Sequence, residues 1–385
     1  MSFLDSSIAY VKSTWFAIQV RKLKKLWTAI TQLQFPELAG LYLSLPYGPV
    51  RVGPLVRPAF RALPDSFLGG SAPRLRHFYL DGVSFPGLPK LLLSTTHLVR
   101  LSLHNIPHSG FISPEAMATC LSMLTYLKSL HLELEYFPYY PDFKNRRPFS
   151  PDHSVLPTLE IFRFRGVNNY LEEFVARIDA PQLYRLSTTF SICVSFSIAN
   201  LTQFISRTPT LTPGAYDEAR VIFDRGSVLV KLRQSHPKPS DHGMVEVEIS
   251  PPESIQQLPL MVRTCTSSLR PLLTIENLYI DGDPDSSLWS NDIENTKWLD
   301  LLLPFTSVKN LYLSKSCSQR IALVLQELRG GRTKDVLPAL QSILLEGFQT
   351  SKHGQEGFTK FVSARRLINH PVVISVWYRE EWDMS

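Results

Sequence analysis

Residues 72–124 read APRLRHFYLDGVSFPGLPKLLLSTTHLVRLSLHNIPHSGFISPEAMATCLSML, and this stretch decides the fold. The same pattern occurs in it twice. A short apolar-alternating segment is followed by a polar turn that ends in an apolar residue, and then by a helix-like run. Leu75, Phe78 and Leu80 stand in L-x-x-L-x-L spacing, and so do Leu98, Leu101 and Leu103. In a strand, that spacing sends alternate side chains to one face, while the leading leucine fills the approach to it. One such unit cannot bury its own apolar face, whereas stacked copies can.

The pattern recurs outward from this stretch. Its leading positions are Leu38, Leu75, Leu98, Leu127, Leu159, Leu183, Ile275, Val308 and Leu340. The steps between them are 37, 23, 29, 32 and 24 residues, then a gap of 92, then 33 and 32. Units of this length hold a strand and a helix. The expected fold is therefore α/β, a leucine-rich-repeat solenoid with a curved parallel sheet on the concave side and helices on the convex side. The gap has room for about three further units at this spacing. An asparagine ladder cannot fix the turns, because the consensus asparagine position holds Val83, Ile106, Val167 and Phe348.

Residues Val11 to Leu33 carry Phe16, Val20, Leu23, Trp27 and Ile30 in a helical stripe, which predicts a helix capping the open end of the stack. The domain reading is thus 1–34 as an N-terminal helical cap and 35–385 as an irregular leucine-rich-repeat domain. Ser113 is placed to cap a helix with Pro114 in its first turn. Further helices are expected near Asn169–Ile178, Ile293–Leu303, Gln319–Arg329 (stopped by Gly330) and Gly357–Ile368. The middle, Thr208 to Leu260, lacks the leucine signature, but Arg220–Phe223, Val228–Leu232 and Val245–Ile249 alternate as strands do. Val372 to Trp377 reads as a last strand, with the charged tail Arg379 to Asp383 suited to an exposed edge.

Composition narrows the function classes. Forty Lys and Arg against 34 Asp and Glu give a net charge of +6, spread along the chain, which argues against a dedicated nucleic-acid surface. Cys120, Cys193, Cys265 and Cys317 form no C-x-x-C pair and read as reduced core thiols of a cytoplasmic or nuclear protein. The first residues lack the basic stub and apolar run of a secretory signal, and no run is long and apolar enough to span a membrane.

No motif asks for catalysis. Asp281-Gly282-Asp283-Pro284-Asp285 opens like a calcium loop, but it carries Ser286 and Asp292 where Gly and Glu belong, so it reads as an acidic turn. Gly330-Gly331-Arg332-Thr333-Lys334 lacks the order of a phosphate loop, and G-x-S-x-G and H-E-x-x-H are absent. His104 and His108 are separated by Pro107, so they share no helix face. The expectation is a protein that is not an enzyme and has no cofactor, catalytic residue or metal. Its candidate site is the concave sheet face, where alternation places Tyr42, His77, Tyr79, Arg100, Ser102, His104, Ser129, His131, Arg163, Arg165, Arg185, Ser187, Asn277, Tyr279, Asn310 and Tyr312. Tyr, Arg and His there offer large contact area with polar ends, as protein recognition needs.

Longer wording carries a resemblance. LPDSFLGGSAPRLRHFYLDGV, SVLPTLEIFRFRGV, YLEEFVARIDAPQL, QFISRTP, IENTKWLDLLLPFTSVKNLYLS, LQELRGGRT and VLPALQSILLEGF together resemble the leucine-rich-repeat part of the F-box-like proteins of mushroom-forming (basidiomycete) fungi. The resemblance implies a substrate receptor: an F-box docks on the Skp-type adaptor of a cullin–RING ubiquitin ligase, and the repeats present a protein substrate. The family's L-P-x-E-I-L opening is not found before Leu38, and the residues before Leu23 are too few for a complete F-box. The chain is therefore expected to hold the repeats without a complete F-box. The alternatives are a free-standing leucine-rich-repeat binder or inhibitor, or an enzyme with an unrecognised pocket.

Overall fold

A computed structural model describes residues 16–19, 35–44, 62–135, 153–191, 197–211, 216–234, 243–250, 257–267, 270–283, 294–328, 332–347 and 352–378. The chain divides into two units: Met1–Leu183 with Arg207–Thr210, and Tyr184–Ser206 with Leu211–Ser385.

In the first unit, β1 (Phe16–Gln19), β2 (Gly40–Ser44), β3 (His77–Asp81), β4 (Arg100–Ile106), β5 (Ser129–Leu134) and β7 (Ile161–Gly166) lie side by side in that order, every pair parallel. β6 (Ser154–Val155) and β8 (Ile178–Asp179) form a separate short parallel pair. The strand register aligns the leucines. Leu41, Phe78, Leu101, Leu130 and Phe162 form one row, and Leu43, Leu80, Leu103, Leu132 and Phe164 the next. All are buried. They meet α1 (Leu88–Leu92), α2 (Pro114–Ser122) and α3 (Asn168–Val175), whose Leu91, Met117, Leu121, Leu171 and Phe174 are buried as well. Ser113 caps α2 as expected, its Oγ accepting the Ala116 N–H at 3.2 Å, with Pro114 in the first turn.

The nine leading positions are all buried, and the backbone shows what they do. The N–H of each of Leu38, Leu75, Leu98, Leu127, Leu159, Leu183, Ile275 and Leu340 donates to the carbonyl three residues back, closing a turn just before the strand. One carbonyl per unit then accepts two successive N–H groups from the next unit. Ala39 takes Arg76 and His77, Arg76 takes Val99 and Arg100, Val99 takes Lys128 and Ser129, and Lys128 takes Glu160 and Ile161. These bonds stand where an asparagine ladder would otherwise be needed. Gly82, at φ 68°, makes the tight exit from β3 that a side chain would resist, and its N–H reaches the His104 carbonyl at 3.0 Å.

In the second unit the order is β9 (Arg185–Ser191), β12 (Met244–Ser250), β11 (Val228–Arg233), β10 (Glu218–Phe223), β13 (Asn277–Gly282), β14 (Asn310–Leu313), β15 (Ser342–Glu346) and β16 (Val373–Trp377). β11 is antiparallel to both neighbours and all other pairs are parallel. The 92-residue gap is thus filled by a three-strand insertion that doubles back, rather than by three ordinary units. Side-chain alternation has period 2 in either direction, so an antiparallel strand continues the core row. Leu186, Val245, Leu232, Ala219, Leu278, Leu311, Ile343 and Ile374 align across the sheet. Thr188 falls in the next row and is buried, with its hydroxyl donating to the Glu246 carbonyl at 3.2 Å.

Behind this sheet lie α4 (Gln257–Ser267), α5 (Asn295–Leu302), α6 (Lys315–Gln326) and α7 (Lys352–Leu367). Trp298 of α5 is fully buried and meets Phe223 edge-on at 5.4 Å. α7 lies so close on α6 that a Cβ at Gly357 would come within 2.8 Å of the Ala322 carbonyl oxygen.

A further expectation is corrected. The predicted helix over Val11–Leu33 is not continuous, because Phe16–Gln19 is a strand paired with β2. Without it, β2 would present an open row of N–H and C=O groups. The rest of that stretch, the stop at Gly330 and the tail after Trp377's neighbour Tyr378 lie outside the described residues.

The stacked rows make a prediction. Leu101→Ala leaves a void between fully packed neighbours and should lower stability by about 2–5 kcal/mol in denaturant unfolding. Lys128→Ala, which removes the exposed 2.7 Å ion pair to Glu160, should cost at most about 1 kcal/mol. Equal losses for the two variants would contradict the packing described.

Candidate functional site

Residues between the core positions of each strand point to the opposite face of the sheet. In the first unit, Tyr42, Tyr79, Ser102, His131 and Arg163 align in one row. His77, Arg100 and Ser129 align in the row before it, and Arg165 faces Glu133 in the row after. The Tyr42 and Tyr79 rings stack at 4.0 Å and 7°. Tyr79 leads to His104 at 4.8 Å, and His104 to His131 at 4.0 Å and 68°. Strand pairing sets this spacing: adjacent strands lie about 4.8 Å apart, so flat rings on neighbouring strands meet face to face or edge to face.

Carboxylates organise the polar end of this patch. Glu133 Oε2 sits 3.2 Å from His104 Nδ1, and Arg165 Nη1 is 3.6 Å from Glu133 Oε1. The hydrogen bond to His104 is the chief reason the Glu133 carboxyl lies below its usual range, with Arg165 and both histidines adding to it against the opposing effect of burial. Asp81 accepts from Asn105 at 2.8 Å and from Ser44 at 3.0 Å. Burial, then the charge on Arg100, holds the His77 ring below its ordinary pKa.

Burial, followed by the charges of His104 and Arg163, lowers the His131 pKa from 6.5 to about 4, with Glu133 opposing. In the fold the ring is therefore neutral at pH 7. Among the described residues, none hydrogen-bonds to its nitrogens.

In the second unit, Tyr279 and Tyr312 stack at 4.1 Å and 11°. Trp377 stands edge-on to both, at 6.0 Å and 5.7 Å, and its Nε1 donates to the Leu313 carbonyl at 3.3 Å. The Arg220 guanidinium lies over the Tyr279 ring at 5.8 Å. Burial first, then the negative charge of Glu218, pushes the Tyr279 hydroxyl well above its ordinary pKa, so it stays a hydrogen-bond donor. Arg185 is in the row of Met244, Arg233, Glu218, Asn277 and Asn310. Arg233 pairs with Glu218 at 2.8 Å, and Asn310 donates to Asn277 at 2.9 Å.

Every sequence-predicted residue thus lies on the face opposite the core rows, and the structure brings them into two clusters, one on each unit. The sequence reading overlooked Glu133, Arg220 and Trp377. Glu133 follows His131 by two and was legible from alternation alone. Arg220 joins Tyr279 only through the doubled-back insertion, and Trp377 only through its ring's reach across two strands. Asp281 accepts the Gly282 N–H at 2.8 Å, and Asp283 accepts from Arg225 Nε at 2.6 Å.

No family model matches the chain, and no curated protein matches it. A solved structure, the leucine-rich repeat-containing protein LegL7 from Legionella pneumophila, is similar over 90% of this chain and 97% of that one, at 10% identity and a TM-score of 0.32.

The His131 environment makes a testable prediction. Its folded pKa lies below the value for an exposed ring, so as pH falls the unfolded chain takes up the proton first. Stability from this group is therefore present above about pH 6.5 and lost progressively toward about pH 4. In an NMR titration the His131 ring signals should stay at their neutral positions down to about pH 5. A midpoint near 6.5 would contradict this environment.

Proposed function

We propose that the chain is a non-enzymatic protein-binding module, and that it serves as the substrate-binding part of an F-box-type receptor for a cullin–RING ubiquitin ligase. The observation that carries the binding reading is the ordered aromatic stack on a half-exposed sheet face in each unit: Tyr42–Tyr79–His104–His131 and Tyr279–Tyr312–Trp377. Rings already locked by stacking lose little rotamer freedom on binding, and their hydroxyls and indole supply polar ends. Such aromatic and arginine clusters are the residue types that dominate protein–protein affinity.

The ligase role rests on the repeat wording, roughly Leu23 to Trp382, which resembles the F-box-like proteins. On this reading the partners are a Skp-type adaptor, a cullin and a protein substrate, and the protein works in the cytoplasm or nucleus. Among the described residues no helix is long and apolar enough to cross a membrane.

Affinity purification with mass spectrometry tests both levels. Adaptor and cullin peptides co-purifying with the chain would support the ligase role. A substrate protein should be captured by the native chain, and Tyr279→Ala with Tyr312→Ala should reduce that capture by roughly 30-fold, the size expected of a hot spot, while thermal unfolding barely moves. Tyrosine-dependent capture without adaptor peptides would replace the ligase role with a free-standing binder. Capture that ignores the tyrosines would remove the face from the account.

A further inference from the structure

We propose that His104, His131 and Glu133 form a binding site for a divalent transition-metal ion of the zinc class on the open sheet face of the first unit. This inference stands independently of the binding role above.

One ligand atom from each of the three side chains lies within 4.8 Å of the other two. The strand register produces this placement. Ser102 faces His131 and Leu103 faces Leu132; the register shifts between Leu103 and Ile106, and there His104 Nδ1 comes within 3.2 Å of Glu133 Oε2, while His131 and Glu133 share a face two residues apart on β5. Around a tetrahedral zinc with bonds of about 2.1 Å, ligand atoms stand roughly 3.4 Å from one another. The His104 Nδ1 to Glu133 Oε2 distance is already 3.2 Å, and the remaining approach is within reach of small χ rotations.

The donor set selects the ion class. Two imidazole nitrogens and one carboxylate oxygen suit zinc, nickel or copper, whereas calcium and magnesium want oxygen alone. Three protein ligands with a solvent-facing fourth position is the arrangement of an open zinc site. The flanking groups match the outer shell such sites use. Arg165 Nη1 lies 3.6 Å from Glu133 Oε1, the oxygen that His104 does not engage, and so orients the carboxylate.

A merely hydrogen-bonded polar patch is the competing account. It explains His104 and Glu133, which bond each other. It gives His131 only its ring contact with His104, and leaves its ring nitrogens with no hydrogen bond from any described residue although the side chain is half-buried.

Calorimetric titration of the full-length chain with zinc chloride, in metal-free buffer, tests the proposal. One equivalent should bind saturably. His131→Asn and Glu133→Gln should each weaken binding by at least about tenfold. His370→Gln, at an exposed histidine of the second unit, should leave it unchanged. Glu133→Gln keeps side-chain size and an acceptor for His104, so it preserves the fold. In the unaltered chain, zinc should shift the ring signals of His104 and His131 in NMR spectra and leave those of His370 in place, a readout that needs no variant. Cobalt as a probe should give the visible absorption of a four- or five-coordinate site. Absence of saturable binding, affinity indifferent to Glu133→Gln, or zinc shifts that spare His104 and His131 would overturn the site.

Discussion

A backbone carbonyl that accepts two successive N–H groups from the next unit fixes the rest of the structure. The carbonyls of Ala39, Arg76, Val99 and Lys128 do this in the first unit, and those of Asp217, Glu276 and Lys309 in the second. Each pair of bonds sets where the neighbouring strand begins. A slip of one residue would turn every inward leucine to water and every tyrosine into the core, so this anchor and the apolar rows enforce the same register. Polar side chains reinforce it at the rim. Thr158 donates to the Leu127 carbonyl at 3.1 Å, Thr274 to Tyr216 at 3.0 Å and Ser307 to Leu273 at 2.6 Å, each from the residue just before a leading position. Repetition of a turn normally assigned to an asparagine is thus achieved with main-chain groups and short hydroxyls.

The same constraint explains how an irregular insertion leaves the sheet face orderly. β10, β11 and β12 enter the second unit out of sequence order, and β11 runs backwards. Backbone pairing still aligns residues one to one, so Ser187, Glu246, Lys231, Arg220, Tyr279 and Tyr312 fall in a single outward row. Lys231 pairs with Glu246 at 3.1 Å across the antiparallel step. The charge pairing concentrates on the insertion and the ring stacking on the regular units beyond it.

Much of this was legible in the amino-acid order because the signal has a physical period. The leading leucines, the inward pairs such as Leu101 and Leu103, the Ser113 cap and the outward tyrosines follow from alternation and from turn geometry. What escaped has physical causes as well. Phe16–Gln19 sits in a helical stripe, yet it pairs as a strand, since an edge needs a partner more than a stripe needs a helix. The order of β10 to β12 depends on which strand pairs with β9, which alternation cannot encode. The His104, His131 and Glu133 grouping joins residues 27 and 29 positions apart, so along the chain His104 has His108 nearby while its neighbours across the ladder leave no local pattern.

Amide hydrogen exchange at the paired donors tests the central claim most directly. If the doubly accepting carbonyls anchor the strands, the N–H groups of Val99 and Arg100, Lys128 and Ser129, and Lys309 and Asn310 should exchange only with global opening of their unit, although Arg100 is exposed at its side chain. Exchange at these amides as fast as at an unstructured loop, with the inward leucine amides still protected, would show that apolar packing alone sets the register and that the backbone ladder does not.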